Sequence, residues 1–198
     1  MRLPNRRAPK FCPDPRMGGQ SDSALIAAWV DGRLQACEKL DVHRRGLRHP
    51  AVSVFLTDGA QTLLQRRALG KYHTPGLWAN SCCTHPNWGE SAHDCAVRRL
   101  AEELGVTGVD PVLVGQVEYR ADVGGGLVEH ELVDVFRADF ARDRPLHPDP
   151  DEVMDTRWIS PSRLDAEIAT DAARFTPWLM IYLADHRDVI FGAPSRAP

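Results

Sequence analysis

The sequence predicts one α/β domain built on a sheet with mixed or antiparallel pairing. Two strand–turn–strand units come first, and their turns are Asp31-Gly32 and Asp58-Gly59. Asp-Gly between two apolar-rich runs is a strong hairpin signal. An amphipathic helix follows both units. With 198 residues and 43% hydrophobic content, the chain is long enough for one domain with a full core.

The first hairpin is predicted over the runs ALIAAWV and RLQACEKL, and the second over AVSVFLT and AQTLLQRR. The segment between them, KLDVHRRGLRHP, is predicted to be a polar loop. Near the end of the chain, DEVMDTRWIS predicts an acidic turn and a strand. SPSRLDAEIA predicts a short helix capped by Ser160, and TPWLMIYLADH a helix with Pro177 in its first turn.

Residues 91–104 are predicted to form the helix that follows the hairpins. An apolar residue recurs there at every fourth position, at Ala92, Ala96, Leu100 and Leu104. Ser91 is a suitable N-cap and Gly105 a natural stop.

The run LVEHELVDVF, residues 127–136, predicts a strand with carboxylates two positions apart. Alternation along a strand turns Glu129 and Glu131 to one face and His130 to the other. Both carboxylates are then able to grip one ion. The alternative is an edge strand whose outward charges oppose aggregation.

Charge and cysteine content limit the classes of function. A net charge of −3 and a pI near 6.2 give no general reason to expect nucleic acid or a membrane surface as partner. Five cysteines, an odd number in a chain of this size, favour a reducing compartment over a disulfide framework. No signal-peptide-length or membrane-spanning apolar run is present. We therefore expect a soluble cytoplasmic protein.

Composition also suggests where the domain begins and ends. Residues 1–22 are rich in Pro, Arg and Gly and lack periodicity, which predicts a disordered tail. The folded domain is expected over residues 23–190, with frayed residues at 191–198.

The stretch around the predicted helix resembles the Nudix box. That box runs Gly, five residues, Glu, seven residues, then Arg-Glu-apolar-any-Glu-Glu-any-Gly-apolar. The matching positions are Glu90, Arg98, Leu100, Glu102, Glu103, Gly105 and Val106. Thr84 replaces the box glycine, and Arg99 replaces the glutamate after the arginine. Loss of a carboxylate argues against metal-assisted pyrophosphate hydrolysis, which needs several anionic ligands. The resemblance implies a Nudix-like α/β/α sandwich.

The upstream segment NSCCTHP, followed by GES, resembles the type I isopentenyl-diphosphate isomerases, a branch of the Nudix superfamily. The resemblance extends from about Lys39 to about Trp178. It implies conversion of isopentenyl diphosphate to dimethylallyl diphosphate, in isoprenoid biosynthesis, by proton addition and removal through a tertiary cation.

The resemblance also implies a catalytic role for individual residues. The Cys83 thiol is expected to carry a proton on one face of the double bond, with Glu131 on the other. Tyr119 is expected to hydrogen-bond the acid, and Trp178 to stabilise the cation through its π electrons.

Two further sets of residues follow from the same resemblance. The diphosphate clamp is expected to consist of Lys39, Arg67, Lys71 and Arg99, with Glu103 holding a Mg²⁺ that bridges to the diphosphate. A second site for Mg²⁺, Mn²⁺ or Zn²⁺ is expected at His43, His49, His85, Glu129 and Glu131. The loop between His43 and His49 is one residue shorter than the family pattern.

Other interpretations stay open at this point. Taken singly, the basic residues and His43 and His49 suit a solvated surface, while Cys82, Tyr119 and Trp178 suit a core. For function, the alternatives are a proton-initiated isomerase or cyclase acting on another prenyl diphosphate, a Nudix diphosphohydrolase, and a non-catalytic module that binds prenyl diphosphates. We expect a small-molecule prenyl diphosphate as partner, no nucleic acid or membrane partner, and a monomer or weak homodimer.

Overall fold

A computed structural model of the protein describes residues 24–191. The predicted disordered tail at 1–22 and residues 192–198 of the predicted frayed end lie outside the described residues. The chain begins with two antiparallel strands, β1 (Leu25–Val30) and β2 (Arg33–Glu38). Asp31 and Gly32 between them both have positive φ, as a two-residue hairpin turn of this type requires. The first predicted hairpin is confirmed.

The predicted loop after this hairpin is wrong in part, because residues 39–45 form a helix, α1 (Lys39–Arg45). Strand β2 therefore ends at Glu38, whose carboxylate accepts hydrogen bonds from the amides of the first helical turn. Gly46 ends the helix in a left-handed conformation. Seven residues with two buried side chains, Val42 and His43, are too few for a visible helical period.

The main sheet has seven strands and is mixed. Its strands are β3 (Arg48–Asp58), β4 (Gln61–Arg67), β5 (Trp78–Ala79), β6 (Cys82–Thr84), β7 (Val112–Gly124), β8 (Leu127–Asp139) and β9 (Val153–Ile159). The order is β5-β4-β3-β8-β7, with β6 on β3 and β9 on β4. Strands β3 and β8 are parallel and the other pairs antiparallel. The second predicted hairpin forms, but β3 and β4 pair only beside their turn.

Helices cover both faces of this sheet, so the predicted α/β/α sandwich is confirmed. They are α2 (Ala92–Leu104) on one face, and α3 (Pro161–Thr170), α4 (Pro177–Asp185) and α5 (Arg187–Phe191) on the other, with a 3₁₀ turn at Ala172–Arg174. The alternation along β3 separates two cores. Ala51 and Phe55 pack towards α4, whereas Val52 and Val54 pack towards α2.

The ends of the helices agree with the sequence. Ser91 caps α2 by accepting from the Asp94 amide, and Gly105 ends it with positive φ. Ser160 caps α3, and Pro177 occupies the first turn of α4. Among residues 24–191, no helix is long and apolar enough to cross a membrane.

Strand β8 lies between β3 and β7, so the alternative of a charged edge strand is wrong. Glu129 and Glu131 are buried on one face of it, and His130 is on the opposite face, beside Glu118. The carboxylates therefore point into the protein, on the side covered by α4.

Candidate active site

A pocket of about 410 Å³ lies on the α4 side of the sheet and gathers most of the residues singled out in the sequence. Its walls come from α1, β4, β6, α2, β7, β8 and α4. The predicted residues that line it are Lys39, Arg67, Lys71, Cys83, His85, Arg99, Tyr119, Glu129, Glu131 and Trp178. Residues up to 139 positions apart in the chain thus line one pocket.

Cys83 reaches the pocket because adjacent residues of β6 point to opposite faces. Cys82 is fully buried against α2, as its alternative assignment to the core predicted, whereas Cys83 lines the pocket. The Cys83 sulfur lies 2.7 Å from Ser53 Oγ and donates to Asn80 Oδ1 at 3.2 Å. Burial, and then the charge of Glu131, raise the pKa of the Cys83 thiol far above its ordinary value. The sulfur therefore carries a proton rather than acting as a thiolate nucleophile.

Glu131 sits in the middle of three strands, and its neighbours follow from their register. His49 on β3 and Tyr119 on β7 are its partners across the sheet. The Tyr119 hydroxyl lies 2.6 Å from Glu131 Oε2 and 2.9 Å from Glu129 Oε2. This hydroxyl has one proton to donate, so it ties the two carboxylates into one unit.

The pKa values of Glu129 and Glu131 are shifted in opposite directions. Burial and the nearby charge of Glu131 raise the pKa of Glu129 well above its usual value. Burial also acts to raise the pKa of Glu131, but the His49 and His85 imidazoles beside its carboxylate outweigh burial and hold this pKa well below the usual value. Paired carboxylates whose environments separate their pKa values are typical of acid and base catalysis.

Three imidazoles converge on Glu131. His85 Nε2 lies 2.9 Å from Glu131 Oε1 and 3.1 Å from His49 Nε2, and His49 Nε2 lies 3.6 Å from the same oxygen. The His43 ring is centred 4.9 and 5.0 Å from the other two rings. The ligand atoms of these four residues all lie within 4.8 Å of one another.

This group fits a divalent metal ion. His43 Nδ1 and His49 Nδ1 donate to the carbonyls of Lys39 and Leu47, at 2.6 and 2.7 Å, which leaves each Nε2 with a free lone pair. His43 Nε2 is buried without a hydrogen-bond partner. Ligand atoms about 2.1 Å from one ion are roughly 3.0–3.4 Å apart in octahedral or tetrahedral geometry, which is close to the distances here. The shorter loop keeps His43 in the group, because α1 and Gly46 return the chain to His49.

The four predicted clamp residues, Lys39, Arg67, Lys71 and Arg99, line the same pocket. Arg67 donates to the His73 carbonyl at 3.1 Å, and its guanidinium lies 5.3 Å from the Trp178 ring centre. Burial, followed by the charges of Lys71 and Arg99, lowers the pKa of Lys39 to about 8. Four cationic side chains held this close repel one another, and binding a multiply charged anion among them relieves this repulsion.

Trp178 combines both roles considered for it in the sequence. It is almost fully buried in the core under α4, and it also forms part of the pocket wall. An indole in such a wall presents π electrons to a bound molecule while excluding water.

The charged residues of the Nudix-like box form ion pairs mainly with one another. Arg98 forms a two-pronged pair with Glu90, at 2.6 and 2.8 Å, and contacts Glu102 at 3.0 Å. Arg99 contacts Glu103 at 2.6 Å and Glu102 at 2.9 Å. Of the described residues on this helix, Arg99 rather than Glu103 lines the pocket; Glu103 is buried between Arg99 and Gln65.

Several residues of the site were not predicted from the sequence. His73 and Ser53 are buried polar side chains at the pocket, Asn80 holds the Cys83 thiol, and Glu152 accepts from Lys71 and from Arg99. Ser53 carried a detectable signal, since it is a polar residue within the apolar run AVSVFLT. His73 and Glu152 carried none, because their partners are distant in the chain.

Comparison with known proteins identifies the family of this chain. The NUDIX domain family matches residues 47–179. The isopentenyl-diphosphate Delta-isomerase of Cereibacter sphaeroides is 62% identical over 168 residues, covering 85% of this chain and 95% of that protein. The proteins of the same name from Rhodobacter capsulatus and Dinoroseobacter shibae are 58% and 56% identical. They match 84% and 85% of this chain, and 95% and 96% of their own lengths.

Solved structures share the fold at low sequence identity. DR0079 from Deinococcus radiodurans has a TM-score of 0.63 and 17% identity, covering 80% of this chain and 96% of that one. A MutT protein from Methanosarcina mazei Go1 has a TM-score of 0.54 and 19% identity, covering 69% and 89%. The similarity to the isomerases spans most of the chain at more than half identity. The chain therefore belongs to the NUDIX domain family and, within it, to the isopentenyl-diphosphate Delta-isomerase family.

Proposed function

We propose that the protein isomerises isopentenyl diphosphate to dimethylallyl diphosphate by moving a proton through a tertiary carbocation. One observation carries this proposal. A protonated thiol, Cys83, and a carboxylate with a tyrosine partner, Glu131, line one pocket together with four cationic side chains. The high identity to proteins named for this reaction supports it.

The four cations bind the diphosphate and orient the alkene. Arg67 and Arg99 offer forked donors for phosphate oxygens, and Lys39 and Lys71 offer point charges. Glu152 now accepts from Lys71 and Arg99, so an incoming diphosphate competes with this carboxylate for both cations. Glu103, the residue expected to hold a Mg²⁺ for the diphosphate, lies behind Arg99, and its carboxylate would have to exchange its contact with Arg99 for the ion.

Cys83 and Glu131 move the proton. One group gives a proton to the terminal alkene carbon, which leaves the cation on the next carbon, and the other group removes a proton, on the opposite face, from the CH₂ beyond that cationic carbon. The double bond shifts by one position and no proton is gained or lost overall. Ser53 and Asn80 fix the thiol, while Tyr119 fixes the carboxyl group. The face of Trp178 stabilises the cation, which has no hydrogen-bonding group of its own.

His43, His49, His85, Glu129 and Glu131 are proposed to hold a divalent ion, Mg²⁺, Mn²⁺ or Zn²⁺. When bound, the ion supplies positive charge that fixes Glu131 and sets the acidity of its proton. The buried, unpaired His43 Nε2 and the convergence of three imidazoles on one carboxylate support this assignment.

The contacts do not favour a diphosphohydrolase. Arg99 replaces a box carboxylate and pairs with Glu102, Glu103 and Glu152. The carboxylates that remain on α2 are therefore neutralised by arginine rather than grouped around several metal ions.

The decisive experiment is incubation with isopentenyl diphosphate and a divalent metal in deuterated water. We expect dimethylallyl diphosphate to form with deuterium at the carbon that receives the proton. Release of inorganic phosphate or pyrophosphate without isomer would instead show a hydrolase. Binding without turnover would show a non-catalytic module. Turnover of a longer prenyl diphosphate alone would replace the substrate assignment.

A further inference from the structure

His73 lies in the loop after β4, and the five-residue metal site predicted from the sequence does not include it. Its side chain is buried, and its Nε2 lies 3.5 Å from Glu129 Oε1. Its Nδ1 lies 3.0 Å from Thr74 Oγ1. With Nδ1–H donating to that hydroxyl, the Nε2 lone pair faces a Glu129 oxygen, and either a proton or a cation bound between the two atoms would satisfy both.

The structure contains two groups of metal-ligating side chains that share His43. Within each group, the ligand atoms lie within 4.8 Å of one another. The first group is His43, His49, His85 and Glu131, and the second is His43, His73 and Glu129. His43 Nδ1 is committed to the Lys39 carbonyl, so His43 has one nitrogen for a metal. One imidazole nitrogen binds one ion, so His43 cannot serve two separate ions, and an ion held by His43 can draw ligands from either group or from both.

We propose that His73 is a sixth protein ligand of this metal ion, beside Glu129 on the side that the first group leaves open. The proposal rests on the metal site of the proposed function. Four imidazoles and two carboxylates fill the shell of a six-coordinate ion, and a full shell has no place for water. Such an ion would bind the two carboxylates but would have no bound water to activate as a hydroxide. Four imidazoles also favour a first-row transition ion such as Zn²⁺ over Mg²⁺.

The loop holds His73 in place from both sides. Arg67 donates to its backbone carbonyl at 3.1 Å. The next residue, Thr74, has a φ of 47°, a left-handed conformation that β-branched residues rarely adopt. Such strain persists only where the surroundings impose it, and it clusters at functional sites. The backbone thus keeps the imidazole facing Glu129.

The test compares Mn²⁺ binding by the full-length wild type, His73→Ala and His93→Ala. His93 is a half-exposed histidine on α2 that pairs with Asp110, so it controls for loss of an imidazole elsewhere. Free Mn²⁺ is measured by electron paramagnetic resonance, and water bound to the ion by proton relaxation. We expect wild type and His93→Ala to show no exchangeable bound water. His73→Ala should gain one and bind Mn²⁺ at least about tenfold more weakly. Unchanged affinity and relaxation in His73→Ala would overturn the proposal.

A second variant covers a failure of His73→Ala to fold, which circular dichroism and urea unfolding would reveal. His73→Gln keeps a polar side chain but removes the nitrogen ligand. A changed visible absorption spectrum of its Co²⁺ form relative to wild type supports ligation, and an identical spectrum rejects it.

Isomerase turnover is assayed separately on wild type. An inactive wild type whose Mn²⁺ affinity still depends on His73 would reject the proposed function and leave the ligand assignment intact. An active wild type whose Mn²⁺ affinity does not depend on His73 would reject only the ligand assignment.

Discussion

At the scale of single residues, Cys82 and Cys83 show how one peptide bond separates packing from chemistry. Both lie on β6, but Cys82 is enclosed by the core beneath α2, while Cys83 contacts Ser53 and Asn80 in the pocket. The side-chain period of two in a strand causes this difference. The two cysteines are therefore a matched pair for mutation.

We expect Cys83→Ala to lower kcat for isopentenyl diphosphate by roughly 10²–10⁴, the range of a positioned acid or base. Cys82→Ala should keep kcat within about twofold and lower the free energy of unfolding by about 1 kcal/mol, because it only removes a buried sulfur. Steady-state kinetics and urea unfolding measure both effects. Near-normal turnover in Cys83→Ala would contradict its role as proton carrier.

Lys39 gives the site a pH dependence. Burial lowers its pKa to about 8, so its charge is present below about pH 8 and lost above it. We expect the KM of the wild type to rise above pH 8, with kcat changing less. In Lys39→Met, KM should be higher at neutral pH and lack this rise. Arg44→Met, at an exposed position on the same helix, should behave like wild type. A constant KM between pH 7 and 9.5 in wild type would show that the charge of Lys39 does not contribute to substrate binding.

Removing the positive charge of Lys39 should also stabilise the folded state. Its folded pKa lies below the ordinary value of 10.5, so the folded state disfavours the ammonium at neutral pH. Stability is therefore expected to rise as the pH increases from about 8 towards 10.5. At pH 7, Lys39→Met should raise the free energy of unfolding by about 1–3 kcal/mol. Urea titrations at pH 7 and 9.5 measure this, and a loss of stability at pH 7 would contradict it.

At the scale of secondary-structure elements, the end of α2 explains a glycine of the Nudix-like box. Gly105 has a φ of 66°, and an added Cβ would lie 2.7 Å from His147 Cβ and 2.9 Å from the His147 carbonyl oxygen. The His147 amide also donates to the Leu104 carbonyl at 2.9 Å. Gly105 thus stops the helix and allows the chain before β9 to pack on it.

Gly105→Ala should lower the free energy of unfolding by about 3 kcal/mol or more, because strain and a backbone clash combine. Gly108→Ala is the control, since Gly108 has a φ of 67° but open space around its Cα. It should cost only the roughly 1–2 kcal/mol of a left-handed alanine. Urea unfolding measures the free energy of unfolding of both variants. Equal losses in Gly105→Ala and Gly108→Ala would show that the contact with His147 has no effect.

Strand β8 organises the site as an element. Its central position lets Glu131 face His49 on one neighbouring strand and Tyr119 on the other. Its alternation puts Glu129 on the same face, within 3.5 Å of His73. An edge strand would present only one such neighbour, so the ligand set depends on the strand order.

At the scale of the whole molecule, the sheet separates a core under α2 from a core under α4, and the site belongs to the second. Buried imidazoles and carboxylates lie in that layer, beside Tyr119 and Trp178 of its hydrophobic core. Metal binding to the folded state alone then adds to stability by mass action.

We expect a chelator to lower the melting temperature of the metal-loaded protein. At a metal concentration 100 times Kd, binding contributes about 2.7 kcal/mol, or roughly 5–10 °C for a domain of this size. His85→Asn should bind less metal, by elemental analysis, and lose most of this response; His93→Asn should keep both. Identical melting curves with and without chelator in wild type would contradict metal binding at this site.

Several features followed from the sequence because they depend on residues close together in the chain. The Asp31-Gly32 hairpin, the caps at Ser91 and Gly105 and the shared face of Glu129 and Glu131 are all set within a few residues. The family resemblance added the clamp and the histidines, which now line or adjoin one pocket. Their individual roles stay predictions.

The tertiary structure decided what depends on contacts between distant segments. Helix α1 was missed because its caps, rather than an apolar period, define it. The approach of His73 to Glu129, and of Glu152 to Lys71 and Arg99, needs strands paired in a fixed order and register. Local patterns determine which face a side chain takes, but only the register of β3, β8 and β7 determines which side chain it meets there.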